Sequence, residues 1–142
     1  MHVNDEAMKK LNTVLLVDDD ETTNYLNHRL LSRMEIASNI RVVTDGEEAI
    51  NYLKRAFAAS TDHPRPELIF VDIKMSGMDG FEFLEEYQRL AADEKEGTVM
   101  LMLTSSASFY DLEKLKQFPD VRRHYSKPLT ESDVREILQT YF

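Results

Sequence analysis

Asp18, Asp19 and Asp20 follow the apolar run Val14-Leu15-Leu16-Val17, and Asp72 follows Leu68-Ile69-Phe70-Val71. Thr104 closes a third apolar run that starts at Val99, and Lys127 follows a weaker one, Val121 to Ser126. Separate runs thus end in carboxylates, a hydroxyl and an ammonium. Continuous apolar runs bounded by turn signals read as strands buried on both faces. In open parallel sheets the ligand crevice lies beyond the carboxyl ends of the strands. All of these groups would then share one edge. Taken singly, each has a bland reading: an Asp after a strand as a cap or turn residue, a Lys before Pro as a solvated side chain, a strand-end Thr as a local hydrogen bonder. The ordered set outweighs them. Brought to about 4 Å, two of these carboxylates repel by about 4 kcal/mol at an effective dielectric near ~20. A proton or a cation must relieve that. Magnesium suits an open acidic cluster, because it takes one or two carboxylates, keeps waters and engages phosphate oxygens. Manganese is the alternative ion.

The elements that must position these residues alternate. The Asp18 to Asp20 stretch supplies a cap (Asp19 or Asp20) for a helix to about Met34, whose apolar face is Leu26, Leu30, Leu31 and Met34. Ile40 to Val43 reads as a second strand. Asp45 and Glu48 stand at capping-box spacing before a helix with Ala49, Ile50, Leu53 and Phe57 inward. Residues 59–67, with Pro64 and Pro66, read as a surface loop in which His63 is exposed and idle. After Asp72, Ser76-Gly77 and Asp79-Gly80 mark a loop and a helix carrying Phe81, Phe83, Leu84 and Tyr87. A fourth helix runs from about Ser108 to Phe118 and stops at Pro119. A fifth follows Thr130, its first turn enriched in acid. About five strands and five helices in alternation imply an α/β fold, a parallel sheet covered by helices on both faces.

The chain has 142 residues, enough for one domain with a proper core, and 42% are hydrophobic. The formal charge of −9 argues against direct nucleic-acid binding, which demands a basic surface. No run approaches membrane-span length, and the polar N-terminus lacks the apolar core of a signal peptide. A cytoplasmic location is the expectation, and the lack of cysteine agrees with it. Residues 1–11 read as a frayed lead-in to a domain of residues 12–142.

Asp18-Asp19, Asp72, Thr104 and Lys127-Pro128, in that order and at strand ends, resemble the receiver domain of two-component response regulators, the family of the bacterial chemotaxis regulator. The likeness runs from about Thr13 to about Tyr141. It implies a doubly wound five-stranded sheet of order 2-1-3-4-5, flavodoxin-like or CheY-like. It implies that Asp72 is the nucleophile and phosphoacceptor, forming an acyl phosphate. Asp19, Asp72 and the main-chain carbonyl of Lys74 would bind the metal, with Asp18 acting more through water. Lys127 would pair with a phosphoryl oxygen, and its bond to Pro128 would be cis. Thr104 would donate to the phosphoryl group and act as a switch with His124, which stands where the family more often has Tyr or Phe. Ser76 stands where the family usually has Pro, which implies a looser loop. Lys74 and Ser106, each two residues beyond Asp72 and Thr104, would tune acyl-phosphate lifetime.

The resemblance makes the chain a phosphoacceptor switch and not an enzyme in the usual sense, limited to magnesium-dependent self-phosphorylation and slow autodephosphorylation. The donor would be a sensor histidine kinase or a histidine phosphotransfer protein. The expectation is a stand-alone receiver without its own output domain, whose output would pass to a partner protein through Phe109, Tyr110, His124 and Leu129. Three alternatives remain. A haloacid-dehalogenase-type phosphohydrolase wants a second Asp where Lys74 stands. A flavodoxin-like cofactor binder wants a Ser/Thr/Gly-rich loop where Asp18 to Asp20 stand. A degenerate receiver would serve only for docking.

Overall fold

The computed structural model describes residues 10–105 and 108–142. Strands β1 (Leu11–Val17), β2 (Ala37–Val43), β3 (Leu68–Asp72), β4 (Val99–Thr104) and β5 (Val121–Ser126) form one parallel sheet in the order β2-β1-β3-β4-β5. The connecting helices are α1 (Glu21–Arg33), α2 (Gly46–Phe57), α3 (Gly80–Gln88), α4 (Ala92–Lys95), α5 (Phe109–Leu115) and α6 (Glu131–Tyr141). Five were expected. The sixth is α4, one turn in a charged stretch that buries no residue, so it carries no hydrophobic periodicity.

The apolar runs are continuous because both faces of the sheet are covered. Leu15, Val17, Ile69, Val71, Met100 and Met102 pack under α2, α3 and α5. Val14, Leu16, Leu68, Phe70, Leu101 and Leu103 pack under α1 and α6. Successive side chains alternate between the two halves of the core, as strand geometry requires.

Local chemistry starts the helices. Asp20, and not Asp19, caps α1 by accepting from the Thr23 amide. Asp45 accepts from the Glu48 amide, but the Glu48 carboxylate bonds Thr44, so the expected reciprocal box is not closed. Asp79, Ser108 and Thr130 each close a full capping box. The start of α3 lies against the end of β3. The Gly80 amide donates to the Ile73 carbonyl at 2.9 Å, and a Cβ at Gly80 would come within 2.5 Å of the Asp72 carbonyl oxygen. Only glycine permits that approach.

Several expectations are corrected. The inner face of α1 is Thr23, Asn24, Asn27, Leu30 and Leu31, while Leu26 is 42% exposed. β2 begins at Ala37, because a half-exposed edge strand shows no clean apolar run. α5 ends at Leu115, three residues before Phe118. His63 is half-buried, its Nδ1 2.9 Å from the Ser60 Oγ and its ring edge-on to Tyr52.

Candidate functional site

Sheet register brings the candidate residues together. Val17 pairs with Val71, so Asp18 and Asp72 leave neighbouring strand ends side by side. Asp72 pairs with Leu103, and Thr104 pairs with Ser126, the residue before Lys127. Asp18, Asp19 and Asp72 each offer a carboxylate oxygen, all within 4.8 Å of one another. Asp18 and Asp72 are buried, and Asp19 is exposed.

Lys127 lies among these acids. Its Nζ donates to Asp72 Oδ2 at 2.9 Å and to Asp18 Oδ2 at 3.0 Å. The backbone holds it there: the Lys127 amide donates to the Thr104 carbonyl at 3.0 Å, and the Lys127-Pro128 bond is cis. Three further carboxylate oxygens are engaged. Asp18 Oδ1 accepts from the Asp20 amide at 2.8 Å, and Asp72 Oδ1 from the Lys74 amide at 3.3 Å. Asp19 Oδ2 accepts from both the amide and the hydroxyl of Ser76, each at 2.9 Å. Ser76 thus ties the loop after β3 to the loop after β1, two contacts that a proline there could not make.

Burial pushes the Asp72 carboxyl above the ordinary carboxylate range; the Asp18 charge adds to this, and the Lys127 hydrogen bond opposes it. Burial alone would depress Lys127, but its hydrogen bonds to Asp72 and Asp18 win, and its pKa lies above the usual lysine value. One ammonium does not neutralise three carboxylates. The surplus is negative, and one member of the trio faces solvent, which fits a hard divalent cation with retained waters.

The other candidates are spread over the surrounding surface. Thr104 is buried at the end of β4. His124 is exposed and Tyr125 is buried, on opposite sides of β5. Phe109 and Tyr110 are 80% and 70% exposed at the start of α5. Leu129 is a correction: it packs in the core under α1 and α6, so it cannot present a surface to a partner. The Lys74 side chain is exposed, its Nζ 3.8 Å from Asp111 Oδ2. Ser106 lies outside the described residues. Two buried residues were missed. Asn24 donates from Nδ2 to the Asp18 carbonyl at 2.8 Å, and Asn27 Oδ1 accepts the Leu129 amide at 2.9 Å. Their spacing relative to Leu30 and Leu31 was the available signal, since it places them on the same helix face.

A family model for the response regulator receiver domain matches residues 14–139. The chain belongs to that family. This receiver is 30% identical to a two-component response regulator from Cytophaga hutchinsonii, covering 94% of this chain and 98% of that one, with a TM-score of 0.83. It is 28% identical over 141 residues to hybrid signal transduction histidine kinase L of Dictyostelium discoideum. That match takes in 96% of this chain but 8% of the kinase. It is 25% identical to the response regulator Rcp1 in its Mn(2+)-bound form, covering 90% of this chain and 89% of that one, with a TM-score of 0.70. Receivers of this family are the phosphoacceptor switches of two-component signalling. Among the described residues, no helix of this receiver is long and apolar enough to cross a membrane.

Proposed function

We propose that residues 12–142 form a working receiver in which Asp72 accepts a phosphoryl group from a histidine kinase or a histidine phosphotransfer protein. The observation that carries this is the Lys127 ammonium held 2.9 Å from Asp72 and 3.0 Å from Asp18, at a trio of carboxylates open to solvent through Asp19. An Asp72 oxygen attacks phosphorus; a carboxylate oxygen–phosphorus bond forms as the bond to the donor's leaving group breaks. Lys127 keeps its proton throughout and is within reach to pair with a phosphoryl oxygen. Asp19, Asp72 and the Lys74 carbonyl would hold magnesium, or manganese, with Asp18 acting through water. The ion would neutralise charge on the transferring group and hold it in line.

Thr104 and His124 are the proposed switch residues, and Phe109 and Tyr110, with His124, the surface read by an output protein. Their exposure at the start of α5 and on β5 supports this. The protein's net negative charge supports a protein partner over nucleic acid, and a cytoplasmic setting is part of the same reading. A hydrolase of the haloacid-dehalogenase type is not favoured, because Lys74 stands where that chemistry needs an acid.

The test is incubation with magnesium and acetyl phosphate, wild type beside Asp72→Asn, read by intact mass. One labile phosphoryl adduct is expected, on the wild type alone. An adduct that survives the substitution rejects Asp72, and absence of any adduct on the wild type supports the docking-only alternative.

A further inference from the structure

We propose that Asn27 is a positioning residue for Lys127: by accepting the Leu129 amide it fixes the loop that aims the ammonium between Asp18 and Asp72. Asn27 is 1% exposed, on the α1 face that otherwise buries Leu30 and Leu31. A buried amide side chain costs stability unless it is hydrogen-bonded. Its Oδ1 meets that need with the Leu129 amide at 2.9 Å, across 102 residues of sequence.

That amide matters because of its place. Pro128 has no N–H, so Leu129 supplies the first amide beyond the cis Lys127-Pro128 bond. On the other side, the Lys127 amide is held by the Thr104 carbonyl at 3.0 Å. The short segment carrying the ammonium is therefore pinned at both ends, by β4 before it and by α1 after it. One turn earlier on α1, Asn24 Nδ2 grips the Asp18 carbonyl at 2.8 Å. The same helix face thus holds an acid that Lys127 bonds and the loop that presents Lys127. The Leu129 side chain, buried under α1 and α6, adds a packing anchor but cannot replace the hydrogen bond.

The consequence for phosphoryl transfer rests on the reading of Asp72 as phosphoacceptor; the consequence for Lys127 placement does not. Asn27→Leu removes the acceptor and keeps similar bulk. Asn27→Asp keeps an acceptor oxygen in the same place. Leu30→Ala, in the same half of the core on the same helix, serves as a control for loss of packing alone. Initial phosphorylation rates with acetyl phosphate and magnesium affinity by calorimetry are measured on all of them.

Asn27→Leu is expected to lower the rate about tenfold or more, since displacement of about an ångström at a distance from the chemistry has that effect. Its magnesium affinity should rise severalfold, because a loosened ammonium competes less for Asp18 and Asp72. Asn27→Asp should restore most of the rate, and Leu30→Ala should change neither quantity. Wild-type rate and affinity in Asn27→Leu would overturn the proposal. So would equal losses in Asn27→Leu and Leu30→Ala, which would make Asn27 a packing residue. If the wild type takes no phosphoryl group, the assignment of Asp72 fails, and the magnesium comparison still decides the role of Asn27.

Discussion

Replacing Lys127 with methionine removes the ammonium and keeps the buried stem. The Lys127 side chain is 10% exposed, and those of Asp18 and Asp72 are 3% and 4% exposed, so solvent cannot stand in for the lost charge. Breaking a buried ion pair by removing one partner costs about 3–5 kcal/mol. An independent ceiling comes from proton uptake. Keeping a carboxyl of ordinary pKa, about 3.9, neutral at about pH 7 costs about 4 kcal/mol, at about 1.4 kcal/mol per pH unit. The two figures agree, so metal-free Lys127→Met should lose about 4 kcal/mol at neutral pH. In the variant the folded pKa of one acid lies above its unfolded value, and the folded state binds the extra proton. Stability therefore falls as pH rises from the unfolded pKa towards the folded one. At about pH 5 the deficit should shrink to about 1.5 kcal/mol. Magnesium, the other relief for the same charges, should restore part of it by mass action. Urea unfolding of both proteins at the two pH values, with and without magnesium, measures this. A deficit under about 1 kcal/mol at neutral pH, the size of an exposed pair, would refute the reasoning. So would a deficit that does not shrink on acidification.

Other consequences are simpler to check. Burial, together with the bond its hydroxyl donates to Glu136 at 2.9 Å, pushes Tyr125 up to about 12. The stability it contributes is lost as pH rises from its unfolded pKa of about 10 through that value, so Tyr125→Phe should flatten the alkaline limb of urea midpoints. What remains of that limb is shared by Tyr52 and Tyr87, which burial also pushes up, and by Lys127, whose raised pKa carries the same sign. Gly80→Ala places a Cβ 2.5 Å from the Asp72 carbonyl oxygen. It should cost about 1–3 kcal/mol by urea unfolding and weaken magnesium binding by calorimetry. Lys74→Met removes an exposed ammonium 3.8 Å from the buried Asp111 carboxylate; with the lysine end in solvent, it should shift stability by less than about 1 kcal/mol.

The parts of the fold legible in the sequence are those where burial is two-sided. β3 and β4 are buried at every position, and their runs show it. The site was legible for the same reason: each such strand ends abruptly in a polar residue, and parallel topology puts the ends on one edge. What stayed hidden follows from mixed faces. Leu26 was expected inside and Asn27 was not weighed, because apolarity is a poor guide where buried loop amides need acceptors. Leu129 was expected to face a partner, and only the packing of α6 against α1 shows that it is enclosed. The two hydrogen bonds from Ser76 to Asp19 join residues 57 apart, and no local pattern announces such a contact.

β3 is the middle strand of the sheet, paired from Leu68 to Val71 on both sides and at Asp72 with β4, and enclosed above and below. Its amides should exchange with deuterium only when the whole molecule opens, while the first turn of α5, bearing exposed Phe109 and Tyr110, should exchange through small, frequent openings. Asp72 is therefore mounted on the slowest-moving part of the protein. A chemical event there would meet a stiff foundation, and its effects would be felt chiefly at the pliable rim.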